Sequence, residues 1–132
     1  MAESRGLGDV YKRQAVNIVT QENMAQAMSE NDIVVLEFWA PWCSPCRLFT
    51  PVFEQASLRN QDVYFGTVNT EEQKPLVSAA GIVSIPTLMI FRQSILVFRE
   101  AGLLQGTQLD ELLHQVRNLD MAQVAAGQGV AQ

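Results

Sequence analysis

The sequence predicts a mixed α/β domain, a sheet of about five strands with helices on both faces. Short runs rich in β-branched and aromatic residues alternate with stretches of helical apolar spacing, the pattern of parallel crossover units. The last two such runs are separated only by Arg92-Gln93-Ser94, which closes the sheet with an antiparallel hairpin. A final stretch carries a continuous apolar stripe that must dock on that sheet.

Val16 to Val19 reads as a short first strand, and Thr20 as the N-cap of a helix whose Met24, Ala27 and Met28 share one face. Ile33 to Trp39 is apolar on both faces apart from Glu37, as befits a central strand covered on both sides. A helix follows from about Cys43 to Arg59, with Leu48, Val52, Phe53 and Ala56 at helical spacing and Pro51 inside it. Val63 to Val68 is the next strand, and Glu71 to Ala80 a short helix that stops at Gly81. Thr87 to Phe91 and Ile95 to Phe98 form the hairpin. Thr107 and Asp110 resemble a capping box that opens a helix with Leu109, Leu112, Leu113, Val116 and Leu119 as its stripe. Met121 to Gln132, mostly Ala, Gln, Gly and Val, reads as a flexible tail.

The chain has 132 residues and is 48% hydrophobic, enough for one core and too short for two ordinary domains. Nine basic against fourteen acidic residues give a net charge of −5, which disfavours phosphate backbones and anionic lipid. No apolar run approaches the roughly 18 residues of a membrane span. A soluble protein with neither nucleic-acid nor membrane partners is expected. Met1 to Gln14 carries three of the basic residues and no apolar periodicity, and Asp9-Val10-Tyr11-Lys12-Arg13-Gln14 is what one frame of a transposon-end sequencing adaptor would encode. Residues 1–14 are therefore read as a non-native scar or disordered segment, 15–120 as the domain and 121–132 as the tail.

The chemistry lies in Trp42-Cys43-Ser44-Pro45-Cys46-Arg47. Two cysteines two residues apart, after a buried strand and at a helix start, suit an exchangeable disulfide. Free N–H groups and the positive dipole end there stabilise a thiolate at Cys43, the attacking nucleophile. Cys46, one turn on, can attack the resulting mixed disulfide, and Pro45 costs nothing in a first turn. A zinc site is a weaker reading, since Cys43, Cys46 and His114 fall short of four ligands and would need carboxylates or a second chain. A purely structural disulfide in so short a loop would restrain little chain entropy, and two inert thiols would leave Trp42 and Pro45 unexplained. His114 falls off the apolar stripe and reads as a surface residue.

Phe38-Trp39-Ala40-Pro41-Trp42-Cys43-Ser44-Pro45-Cys46-Arg47 and Ile85-Pro86-Thr87 resemble the active-site stretch and the cis-proline loop of the thioredoxin family, and the likeness runs from about Val16 to Leu119. It implies a cis bond before Pro86, with Ile85 beside Cys43, and an apolar patch of Trp42, Ile85 and Gly102 that takes an extended substrate segment. Trp39 reads chiefly as core packing.

Two positions depart from the family. Glu37 stands where Asp is usual, beneath the disulfide and near Cys46; a buried carboxylate there has a raised pKa and can accept the Cys46 proton. Thr67 stands where reductases often carry a Lys, so nothing offsets that rise.

The resemblance implies a thiol–disulfide oxidoreductase that reduces protein disulfides in the cytoplasm, with roles in electron transport and redox homeostasis. It implies a monomer without a cofactor or metal of its own, recharged by a flavin-dependent thioredoxin reductase. The alternatives are a binding or chaperone module with little redox turnover, and an oxidase or isomerase of an oxidising compartment.

Overall fold

A strand that carries one charged side chain in seven can be buried on both faces, and Ile33–Trp39 occupies the centre of the sheet. The computed structural model describes residues 16–131, with the side chains of 128–131 left aside, so the reading of residues 1–14 as a scar lies outside the described residues. The elements are β1 (Val16–Ile18), α1 (Met24–Glu30), β2 (Ile33–Trp39), α2 (Ser44–Arg59), β3 (Tyr64–Asn69), α3 (Lys74–Ala80), β4 (Thr87–Arg92), β5 (Ile95–Ala101), α4 (Gly106–Arg117) and α5 (Met121–Ala131). Strand order is β1-β3-β2-β4-β5. β1 and β2 run parallel to β3, while β4 is antiparallel to both β2 and β5. The mixed five-stranded sheet expected from the sequence is the one observed.

Alternation along β2 sorts the core into two layers. Ile33 and Val35 face Phe49, Phe53 and Ala56 of α2 and Leu109, Leu113 and Val116 of α4. Val34, Leu36 and Phe38 face the other way, against Met24 and Met28 of α1 and Leu76 and Ala80 of α3. Each large side chain buried this way contributes on the order of 2–3 kcal/mol. Glu37 therefore shares the α2 face with Ile33 and Val35.

Several helix ends differ from expectation. Thr20 begins a turn, exchanging hydrogen bonds with Asn23 (Thr20 N to Asn23 Oδ1, 2.8 Å; Asn23 N to Thr20 Oγ1, 3.3 Å), and the helix itself starts at Met24. The cap of α4 is Gln105, in a reciprocal box with Gln108 rather than Thr107 with Asp110. Asp110 is engaged elsewhere: its carboxylate accepts from Arg59 Nε and Asn60 Nδ2, both at 2.9 Å, and so ties α2 to α4. The other end of α4 is closed by Arg92, whose Nη1 donates to the carbonyls of Val116, Arg117 and Leu119.

The tail read at Met121 to Gln132 is helical from Met121 to Ala131, and Met121 is buried. Asp120 caps this helix, with Gln123 N donating to its side chain at 3.3 Å and Val124 N to its carbonyl at 3.0 Å. A cap residue just ahead of the Ala-rich run is the signal the sequence held.

Candidate active site

The site forms where β2 ends and α2 begins. Cys43 is the N-cap of α2, with extended backbone, and its Sγ accepts the Cys46 N–H at 3.2 Å. Pro45 sits in the first turn, where no N–H bond is lost. Cys43 and Cys46 are joined as a disulfide, their Cα atoms 5.3 Å apart. Cys46 is wholly buried and Cys43 retains 4% exposure, so Cys43 is the nearer of the two to solvent. Trp39 and Ile85 pack against the pair. Thr50 Oγ1 donates to the Cys46 carbonyl at 3.1 Å, on the same turn of α2.

The loop before β4 brings in a second segment. The Ile85–Pro86 bond is cis, and Ile85 lies against the cysteines as the resemblance implied. Gly102 N–H donates to the Pro86 carbonyl at 2.8 Å. Gly102 has φ +106°, a conformation that side chains oppose, and a Cβ there would meet nothing within 4 Å. Gly102, just after β5, thus borders open space on the side where a Cβ would point.

Trp42 is not folded into that cluster. It is 64% exposed, and its indole N–H donates to the Glu71 carboxylate. Arg47 reaches back over the helix start, donating to the Pro41 carbonyl at 2.8 Å and the Ser44 hydroxyl at 3.1 Å. The i−3 spacing of Ser44 and Arg47 was legible on a helix face; the partnership of Trp42 with Glu71, 29 residues on, had no sequence signal.

Glu37 is 2% exposed, and its Oε2 has no hydrogen-bond partner. Burial first, and the charge of Glu54 second, push its pKa up from 4.5 to about 8. In register beside it stand Thr67 on β3 and Leu88 on β4, so no cation offsets the rise. A cavity of about 190 Å³ opens on Glu37, lined also by Val16, Trp39, Thr50, Phe53, Glu54 and Thr67. Cys46 is not in that lining. Trp39 bridges the two, lining the cavity and packing on the cysteines. Sequence reasoning missed Glu54, which α2 alone carries over the cavity.

His114 is on the surface, its carbonyl accepting from Asn118 Nδ2 at 2.9 Å. Among the described residues no three His, Cys, Asp or Glu side chains cluster as metal ligands, and no helix is long and apolar enough to cross a membrane.

A redox disulfide at the N-terminus of a helix, beside a cis-proline loop on a five-stranded mixed sheet, defines a thiol–disulfide oxidoreductase of the thioredoxin fold. The thioredoxin family model matches residues 15–117. The chain is 46% identical over 106 residues to "Putative thioredoxin 2" of Streptomyces coelicolor, covering 80% of this chain and 79% of that one. It is 41% identical over 97 residues to "Thioredoxin 1" of Synechococcus elongatus, covering 72% and 91%. A mutant thioredoxin from Halobacterium salinarum superposes with a TM-score of 0.76 at 29% identity, over 81% of this chain and 95% of that one. The chain belongs to the thioredoxin family and is a protein-disulfide reductase.

Proposed function

We propose that this chain is a general reductase of protein disulfides, working as a cytoplasmic monomer and recharged by a flavin-dependent thioredoxin reductase. In this reading Cys43 attacks the substrate disulfide and Cys46 resolves the mixed disulfide. The observation that carries it is the asymmetry of the pair: Cys43 alone keeps contact with solvent, and its sulfur occupies the helix cap where a thiolate gains N–H bonds and the dipole field.

Glu37 acts as acceptor for the Cys46 proton. Its raised pKa makes it a base near neutral pH, and its unpartnered oxygen leaves a lone pair free. Trp42, Ile85, Pro86 and Gly102 receive the substrate. Trp42 stands exposed next to Cys43 in the chain, Ile85 packs on the cysteines, and Gly102 is tied to Pro86 through its N–H.

The deciding measurement is the reduction potential of the Cys43–Cys46 couple, with turnover in an insulin-reduction assay beside it. A value near the roughly −270 mV familiar for thioredoxins supports the reductase; one near about −180 or −120 mV points to an isomerase or oxidase. A reductase-like potential without insulin turnover points to a binding module.

A further inference from the structure

The cavity over Glu37 has a second carboxylate at its rim. Glu54, exposed on α2, is the one charged residue besides Glu37 among the described residues lining it. Apart from Glu54, the groups that face Glu37 are neutral: Thr67 from β3, Leu88 from β4, Val16 from β1, and Thr50 and Phe53 from α2. Glu37 itself is buried with an unpartnered oxygen, and the space between the two carboxylates has room for several water molecules.

We propose that Glu54 is a positioning residue for the resolving step: across the shared cavity its charge adds to burial in disfavouring ionisation of Glu37, and the cavity gives the Glu37 proton its route to solvent on the α2 side. This rests on the reading of Glu37 as proton acceptor. The Glu37 proton must first leave. The Cys46 S–H bond then breaks as an O–H bond forms on Glu37, and the Cys46 thiolate attacks Cys43 Sγ. The Cys43–Cys46 bond forms, the bond from Cys43 to substrate breaks, and the substrate sulfur departs as thiolate. The new proton on Glu37 then leaves through the cavity. Glu54 therefore adjusts the pH at which Glu37 is ready, adding to the larger effect of burial.

The test is a titration of Glu37 by carbon-13 NMR of carboxyl-labelled glutamate in the oxidised protein, for wild type, Glu54→Gln, Glu54→Asp and Glu54→Lys. At about 0.1 M salt, removing a like charge across the shared cavity predicts that the Glu37 midpoint falls by roughly a few tenths of a pH unit in the Gln variant. It falls further in the Lys variant, holds in the Asp variant, and the gap between wild type and Gln closes at about 1 M salt. In parallel, the pH profile of mixed-disulfide resolution is measured for wild type, Glu54→Gln and Glu37→Gln, and its midpoint follows the titration. Unmoved Glu37 midpoints in both Gln and Lys variants overturn the proposal. So does a moved midpoint that the resolution profile ignores while Glu37→Gln resolves slowly. If Glu37→Gln resolves at the wild-type rate, Glu37 is not the acceptor, and both that reading and this one fall.

Discussion

Replacing Glu37 by Gln takes a charge away from a strand that cannot solvate it, and the effect on stability has a sign fixed by linkage. The carboxyl has an ordinary value of 4.5 and is pushed up to about 8 in the fold, so between those limits the native state binds more protons than the unfolded chain. Stability must therefore fall as pH rises through that window, by about 1.4 kcal/mol per pH unit from this one group. Below it both states are protonated and the burden vanishes; above it the burden is constant.

At pH 7 the accumulated cost is on the order of 3 kcal/mol, a large share of the roughly 5–15 kcal/mol that holds a domain together. The amide is nearly isosteric with the protonated acid, and the cavity beside it leaves its polar atoms room for water. Glu37→Gln should thus match wild type near pH 4.5 and exceed it by about 2–3 kcal/mol at pH 7. Urea unfolding of the oxidised proteins across this range measures both, and all other titrating groups cancel between the two. Parallel stability curves from pH 5 to 8, or a Gln variant less stable at pH 7, would show that Glu37 is solvated or hydrogen-bonded and refute the argument. The same variant should slow mixed-disulfide resolution far more than initial attack, because only resolution needs the acceptor.

Cys43→Ser should abolish turnover, whereas Cys46→Ser should accumulate substrate-linked adducts on non-reducing gels, since capture proceeds and resolution does not; the reverse outcome would exchange the two roles. Gly102→Ala should cost about 1–2 kcal/mol by denaturant unfolding, all of it from forcing a side chain to φ +106°, because the added methyl meets no neighbour. Ser94→Gly should stabilise the hairpin by about 0.5–1 kcal/mol, since Gln93 and Ser94 sit at φ +52° and +66° in a turn that favours glycine. Arg92→Met should lower stability by about 2–3 kcal/mol, as one guanidinium serves three carbonyls at the end of α4 and the Asp32 carboxylate.

Sequence alone determined what is set by neighbours along the chain. The apolar run at Ile33 to Trp39 marks a central strand whatever packs on it, the spacing of Leu109, Leu113 and Val116 makes one buried face of a helix, and Cys43 and Cys46 meet because one helical turn brings them together. The sheet with helices on both sides follows from that periodicity. Even Glu37 was visible as one carboxylate in an apolar strand. Tertiary structure decided what depends on which surfaces stack. Gln105 caps α4 because Asp110 is drawn across to Arg59 and Asn60. Gly102 reaches Pro86, and Trp42 reaches Glu71, only because separate loops converge at one end of the sheet. Glu54 faces Glu37 only because α2 lies over β2 in one rotation. A local pattern fixes a residue's face and period, but the partner across a cavity belongs to another element, and its position is known only once the two elements have packed.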